Sequence, residues 1–191
     1  MTSDSSSSSE SQPPSRGCII WLEDDPREER VLERKEELEK LGFKVLIAEG
    51  FRELEYILRQ NEPTDPSRRE KVRLIVIDIM LVGVRDLSVF FPWVSDANTD
   101  RGFAAGLVFL ERVLFPSKRS PDDTVFGKYQ STPVIVYSTR TLPDNEKERV
   151  DRIARSHGIR VEVLAKATVD SFVRTVEDIV KPLTHLGPEA A

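Results

Sequence analysis

One run of uninterrupted apolar residues limits the folds open to this chain more than any other feature. Residues 74–77 read Leu-Ile-Val-Ile, and the run ends directly at a carboxylate, Asp78. A short apolar run without alternation is typical of a strand covered on both faces, as in a parallel sheet, where chemistry gathers at the carboxyl ends of the strands. Asp78 is therefore a candidate functional residue, although an Asp after a strand is also a common turn or helix-capping residue.

Four similar runs accompany this one and alternate with segments of helical periodicity. Predicted strands cover residues 17–22, 44–48, 73–77, 133–137 and 161–165, and predicted helices cover about 26–41, a segment after Gly50, 102–114, 143–157 and 169–183. Pro26 suits the first turn of the first helix. Because each right-handed crossover lays its helix on the sheet, the pattern predicts a doubly wound α/β domain with a five-stranded parallel sheet. We expect the flavodoxin-like strand order 2-1-3-4-5.

The length of 191 residues suits one domain, which we place at residues 17–183. A Ser-rich tail at 1–16 is too poor in apolar residues to fold, and 184–191 form a short C-terminal tail. Residues 82–101 show no clear period and form a predicted insertion, a length typical of functional or mobile loops. Its apolar segment 89–94 either folds back on the domain or offers a docking patch or lid.

Composition excludes several functional classes. The net charge is −5 and no basic stripe is interleaved with aromatic residues, so direct nucleic-acid binding is not expected. Cys18 is the only cysteine, which excludes an intramolecular disulfide and a Cys-rich metal site. No run approaches the ~18 apolar residues of a membrane span, and no signal peptide is evident, so we expect a cytoplasmic protein without membrane contact.

Polar side chains follow four of the five predicted strands, at the point where each strand ends. They are Glu23 with Asp24, then Asp78, Ser138 and Lys166. In the predicted strand order these groups line one crevice at the switch point of the sheet. Each alone is weak support for a site, but together they predict one.

The chemistry of these groups suggests their roles. Carboxylates that lie close together repel unless a cation holds them, and an all-oxygen ligand set suits Mg²⁺ better than zinc. Asp78 is then a candidate nucleophile that forms an acyl phosphate, and Lys166 would neutralise charge on the transferred phosphoryl group. Ser138 could donate a hydrogen bond to that group by turning toward it, which offers a conformational switch.

These motifs resemble the receiver domain of two-component response regulators. The matching stretches are IIWLEDDP at 19–26, AEG at 48–50, VIDIML at 76–81, PVIVYS at 133–138 and LAK at 164–166. The resemblance covers nearly everything outside the tails, and five short motifs in the right order make it specific.

The resemblance implies a phosphoacceptor role for Asp78, with a histidine kinase or a histidine phosphotransfer protein as the donor. It implies that Asp24, Asp78 and the backbone carbonyl of Met80 bind Mg²⁺, with Glu23 helping through water. Ser138 takes the part of the switch hydroxyl, and Lys166 that of the phosphate contact. We expect a stand-alone signalling module rather than an enzyme, whose output is a protein contact in trans on the fourth and fifth helices and the fifth strand.

The chain departs from the family pattern at three places, and these keep alternatives open. Ala167 stands where proline commonly follows the lysine, Val163 replaces a frequent aromatic residue, and the insertion replaces a short turn. A phosphorylation-independent pseudo-receiver scaffold is the first alternative. A phosphohydrolase of the haloacid-dehalogenase type is weaker, because Met80 stands where that family has its second Asp. Nucleotide or flavin binding is weaker still, since no Gly-rich loop follows the first strand.

Overall fold

The computed structural model describes residues 15–61, 71–84, 99, 102–116, 125–167 and 171–181. Five parallel strands form one sheet in the order β2-β1-β3-β4-β5. The strands are β1 (Cys18–Leu22), β2 (Lys44–Ala48), β3 (Val72–Ile77), β4 (Val134–Ser138) and β5 (Val161–Ala165). The predicted flavodoxin-like α/β architecture and its strand order are thereby confirmed.

Helices cover both faces of this sheet. They are α1 (Glu29–Lys40), α2 (Phe51–Gln60), α3 (Ala105–Phe109) continuing into a π-helical turn (Leu110–Leu114), a 3₁₀ helix (Val125–Tyr129), α4 (Asp144–His157) and α5 (Ser171–Val180). On one face, α1 and α5 pack on the sheet and enclose what we call the α1–α5 layer. On the other face, the remaining helices enclose the α2–α4 layer.

The central strands are mostly apolar because each side of the sheet is buried, with Arg73 in β3 and Ser138 at the end of β4 as the polar residues. In β1, Ile20 and Leu22 point into the α2–α4 layer, whereas Ile19 and Trp21 point into the α1–α5 layer. Successive side chains of a strand point to opposite faces, so a strand covered twice needs apolar residues at every position. The same alternation holds in β3, which ends at the buried Asp78.

The first helix starts later than predicted. Pro26 lies in a turn in which the N–H of Glu28 donates to the carbonyl of Asp25 over 3.1 Å, and α1 begins only at Glu29. The prediction that Pro26 opens the helix is therefore wrong, because this turn comes first. The predicted end is confirmed: Gly42 has a φ of +88°, a backbone conformation that favours glycine.

The segment predicted as one helix over 102–114 is composite. Residues 102–104 form a turn, α3 proper begins at Ala105, and the N–H of Phe115 donates to the carbonyl of Leu110 over 2.9 Å to close the wider π-helical turn. Of the predicted insertion 82–101, only 82–84 and Thr99 belong to the described residues. Its apolar segment 89–94 lies outside them, as do residues 1–14 and the C-terminal tail.

Among the described residues, no helix combines the length and the apolar composition that crossing a membrane requires.

Candidate functional site

The sheet places the ends of four of its strands at one edge, and Ser138 is the last residue of one of them, β4. Glu23 and Asp24 follow β1, Asp78 follows β3, and Lys166 follows β5. The strand ladder continues one residue past each strand: the N–H of Asp78 donates to the carbonyl of Leu22 over 3.0 Å, and that of Lys166 to the carbonyl of Ser138 over 2.9 Å. These bonds fix the backbone of the site residues to the sheet, so their side chains start from a rigid edge.

Lys166 is the centre of the site. Its side chain is 2% exposed, and its Nζ lies 2.7 Å from Oε2 of Glu23, 2.9 Å from Oδ2 of Asp78 and 3.1 Å from Oε2 of Glu28. An ammonium group has three N–H donors, and three carboxylates surround it here. Sequence reasoning placed Lys166 beside Glu23 and Asp78, and the structure brings them together.

Burial and charge shift the pKa of both members of this central pair. Burial raises the pKa of Glu23 from 4.5 to about 7; Lys166 opposes that rise, and the nearby charge of Asp78 adds to it. Burial alone would lower the pKa of Lys166, but the negative charges of Asp78 and Glu23 outweigh it and raise the pKa above its ordinary value. Lys166 is therefore charged at neutral pH, while the anion of Glu23 is disfavoured without more positive charge.

Three carboxylates form a cluster that could hold a metal ion. One oxygen each of Glu23, Asp24 and Asp78 lie within 4.8 Å of one another. Oxygen ligands suit a hard divalent cation such as Mg²⁺. The donor set therefore fits the predicted ion.

The loop that follows β3 is hydrogen-bonded to this cluster. The N–H of Met80 donates to Oδ1 of Asp78 over 2.9 Å, and the N–H of Gly83 donates to Oδ2 of Asp24 over 3.0 Å. Thr139, which follows β4, contacts the sulfur of Met80 at 3.8 Å. Met80 thus lies at the site as predicted, while the role of its carbonyl stays a prediction.

Ser138 ends β4 at the same edge and is 1% exposed. Its hydroxyl has no hydrogen-bond partner among the described residues. A buried hydroxyl without a partner carries a free energy cost, and a new acceptor nearby would relieve that cost.

Two of the residues that depart from the receiver pattern, Val163 and Ala167, lie in β5 and just after it. Val163 is 38% exposed, so β5 presents an aliphatic residue at the surface. Tyr137, the residue before Ser138, is fully buried and packs against Trp21 and Phe172 with ring centroids 5.5 and 4.3 Å away. Ala167 directly follows Lys166 and is exposed.

Comparisons with known proteins bear on the fold. The sequence matches no protein-family model and no curated protein. A solved structure of a yeast Spc42 trimeric coiled-coil segment fused to another structure is similar, with a TM-score of 0.51 and 14% identity over 87% of this chain and 78% of that chain. The N-terminal domain of a response regulator/sensory box/GGDEF 3-domain protein from Carboxydothermus hydrogenoformans gives a TM-score of 0.44 and 15% identity over 85% of this chain and 92% of that chain.

At these identities the likeness concerns the fold alone. This chain has a flavodoxin-like α/β fold. Its strand order and the acidic cluster of Glu23, Asp24 and Asp78 at the carboxyl edge agree with the arrangement inferred from the sequence motifs.

Sequence reasoning missed three residues that shape the site. Glu28 contacts Lys166, and Gly83 donates to Asp24. Gly106 packs so closely on the loop after β3 that a Cβ there would overlap the carbonyl oxygen of Asp78. The sequence offers one signal for Glu28: it is a fourth acidic residue, five positions after Glu23 and following Asp24 and Asp25. The glycine contacts depend on tertiary packing and have no local signature.

Proposed function

We propose that this domain is a phosphoacceptor receiver that takes a phosphoryl group on Asp78 and signals by protein contact. The observation that carries the proposal is the 2.9 Å contact between Lys166 Nζ and Oδ2 of Asp78, inside the cluster of Glu23, Asp24 and Asp78. A nucleophilic carboxylate, a fixed cation and a set of metal ligands are what phosphoryl transfer requires of a protein.

The proposed donor is the phosphohistidine of a histidine kinase or a histidine phosphotransfer protein. One carboxylate oxygen of Asp78 forms a bond to phosphorus as the phosphorus–nitrogen bond breaks, and the electron pair of that bond stays on the imidazole nitrogen, which then takes a proton from water. Asp78 then carries an acyl phosphate. Lys166 remains charged and faces the added oxygens.

Glu23, Asp24, Asp78 and the carbonyl of Met80 would hold Mg²⁺. When bound, the ion neutralises part of the negative charge on the phosphoryl oxygens. The hydrogen bonds from Met80 to Asp78 and from Gly83 to Asp24 hold these two carboxylates in place. They also couple the acidic cluster to the start of the loop after β3.

Ser138 supplies the switch in this proposal. Its buried hydroxyl has no partner among the described residues, so a phosphoryl oxygen on Asp78 gives it an acceptor once it turns. That turn changes the surroundings of β4 and of the adjoining helix. The proposed output is a contact with a downstream protein in trans, made by α4, β5 and α5; the half-exposed Val163 of β5 supports this face.

Intact mass measurement after incubation with acetyl phosphate and Mg²⁺ tests the proposal. We expect wild-type protein to gain the mass of one phosphoryl group, and Asp78→Asn to gain none. Asp25→Asn is the matched control, because Asp25 is an exposed acid of the same loop outside the cluster and should leave the mass gain intact. No gain in wild type, or equal gain in Asp78→Asn, would refute the proposal.

A phosphorylation-independent scaffold is the second candidate. It is favoured by Val163, which stands where receivers often have an aromatic residue. Beryllofluoride with Mg²⁺ mimics an acyl phosphate and separates the two candidates. The phosphoacceptor predicts shifts in the NMR signals of residues around Ser138 and Lys166, and Asp78→Asn abolishes them. The scaffold predicts an unchanged spectrum in both proteins.

A further inference from the structure

Glu28 occupies the N-cap position of α1 but does not cap the helix. Its backbone carbonyl accepts hydrogen bonds from the N–H groups of Val31 and Leu32, as at a helix start. The short side chains of Ser, Thr, Asp and Asn usually accept a hydrogen bond from the first turn at this position. The carboxylate of Glu28 makes no such bond, and it accepts one from Nζ of Lys166 over 3.1 Å instead.

Glu28 differs from the other two partners of Lys166. Its side chain is 28% exposed, whereas those of Glu23 and Asp78 are 1% and 4% exposed. It does not belong to the carboxylate cluster that could hold a metal ion. Glu28 therefore binds the lysine from the solvent side, and it is attached to a helix and not to a strand end.

We propose that Glu28 is a positioning residue that competes with a phosphoryl group for Lys166. This inference rests on the proposed function of Asp78. Lys166 has three N–H donors and three carboxylate partners, so an incoming phosphoryl oxygen can contact it before the bond to Asp78 forms only by taking the place of one partner. Glu28 has the longest of the three contacts and the most exposed side chain, so it is the partner that water can replace at least cost.

Two consequences follow from this competition. The charge of Glu28 slows phosphorylation, since it repels the incoming phosphate and occupies a donor of the lysine that must contact it. Release of Glu28 also separates the N-cap residue of α1 from Lys166, which follows β5, so the state of Asp78 can affect a helix that lies on the opposite side of the sheet from α4.

Glu28→Gln tests the proposal, because it keeps the shape of the side chain and removes the charge. With acetyl phosphate and Mg²⁺, we expect Asp78 in Glu28→Gln to be phosphorylated about three- to tenfold faster than in wild type, a size set by a partly exposed charge a few ångströms away. Glu29→Gln is the matched control: Glu29 is exposed, has the same charge and is not a partner of Lys166. Its rate should equal that of wild type.

A second readout does not depend on phosphorylation. In protein kept free of divalent cations, the NMR signal of Lys166 Nζ should shift in Glu28→Gln and stay in place in Glu29→Gln. A rate equal to or below that of wild type in Glu28→Gln would overturn the competition, and an unmoved Nζ signal would overturn the contact. If wild-type protein takes up no phosphoryl group, the proposed function fails by itself, and the Nζ signal alone decides whether Glu28 positions Lys166.

Discussion

The two layers of this domain bury their polar groups differently. In the α2–α4 layer, the hydroxyl of Tyr129 donates to the carbonyl of Leu58 over 2.8 Å. In the α1–α5 layer, Nε1 of Trp21 and Nε of Arg34 are buried without a hydrogen-bond partner among the described residues, and the hydroxyl of Tyr137 has the Arg34 guanidinium as a polar neighbour. On the other side of the sheet, Nε of Arg140, whose guanidinium binds Glu146 of α4, is also without a partner there. Unpaired buried polar groups cost free energy, and more of this cost lies in the α1–α5 layer.

Residues of the α1–α5 layer are also neighbours of the site residues in the sequence. Trp21 lies two residues before Glu23, and Tyr137 directly precedes Ser138. Glu28, at the start of α1, contacts Lys166 from the same side. In this domain, buried polar groups without partners lie next to Ser138, whose hydroxyl is proposed to move, whereas the α2–α4 layer meets the site through the close contact of Gly106 with the Asp78 backbone.

The largest expected effect compares one large aromatic residue from each layer. Phe109 packs between the rings of Phe51 and Phe126, at centroid distances of 5.0 and 5.4 Å, so Phe109→Ala should lower the free energy of unfolding by about 3 to 5 kcal/mol. Phe172→Ala should cost less, because water entering its cavity can pair with Trp21 and Tyr137. Urea denaturation of both variants measures the difference.

The surface control for this pair is Tyr56→Ala, whose side chain is 64% exposed and whose loss should change stability by less than about 0.5 kcal/mol. Equal losses for Phe109→Ala and Phe172→Ala would remove the contrast between the layers.

The next effect is at the point where the α2–α4 layer meets the site. Gly106→Ala places a methyl group against the carbonyl of Asp78, so the backbone must move, at a cost of about 1 to 3 kcal/mol. Phosphorylation of Asp78 should slow with it. Gly83→Ala is the control, because its Cβ would meet Asp24 only at an ordinary 3.6 Å. Unfolding curves and the acetyl phosphate assay measure both variants, and equal behaviour of the two would show that the close approach is unimportant.

The smallest effect compares the two buried hydroxyls. Tyr129→Phe removes a 2.8 Å hydrogen bond to a backbone carbonyl and should cost about 1 kcal/mol, while Tyr137→Phe removes a hydroxyl that makes no hydrogen bond of normal length and should cost less at pH 7. Equilibrium unfolding at pH 7 measures both. A larger loss for Tyr137→Phe than for Tyr129→Phe would contradict the contrast.

The pH dependence of the same variant sharpens the comparison. Burial raises the pKa of Tyr137 above its ordinary value of 10, although the Arg34 guanidinium opposes the rise. Above pH 10 the unfolded chain therefore loses this proton more readily than the folded protein, and stability falls as the pH rises. Tyr137→Phe should flatten that fall in unfolding curves taken between about pH 9 and 11.

The sequence predicted the sheet well because its signals are local. Each strand is an apolar run bounded by turn residues, and the polar residue at its end is adjacent in sequence. Because the ends of parallel strands lie at one edge of the sheet, the convergence of Asp78, Ser138 and Lys166 follows once the strands are recognised as parallel. Their roles in phosphoryl transfer are still predictions.

The parts that escaped sequence analysis depend on contacts between distant segments. Placing Pro26 in the first helical turn put Glu28 inside a helix, where an acid is an ordinary surface residue, and concealed its contact with Lys166. A side chain at Gly106 would overlap Asp78 because α3 packs closely on the loop after β3. The pattern of apolar residues in the sequence gives no sign of this contact.

The π-helical turn at Leu110–Leu114 changes which of the residues that follow it face the core. A π-helical turn takes up one residue more than an α-helical one, and here the consecutive residues Val113, Leu114 and Phe115 are all buried. Phe115 thus anchors the far end of a segment whose near end, Gly106, touches the Asp78 backbone. The number of residues between these two anchors sets how far the helix turns from one to the other. Inserting or deleting a single residue there would therefore shift the backbone of Asp78 without changing any side chain around it.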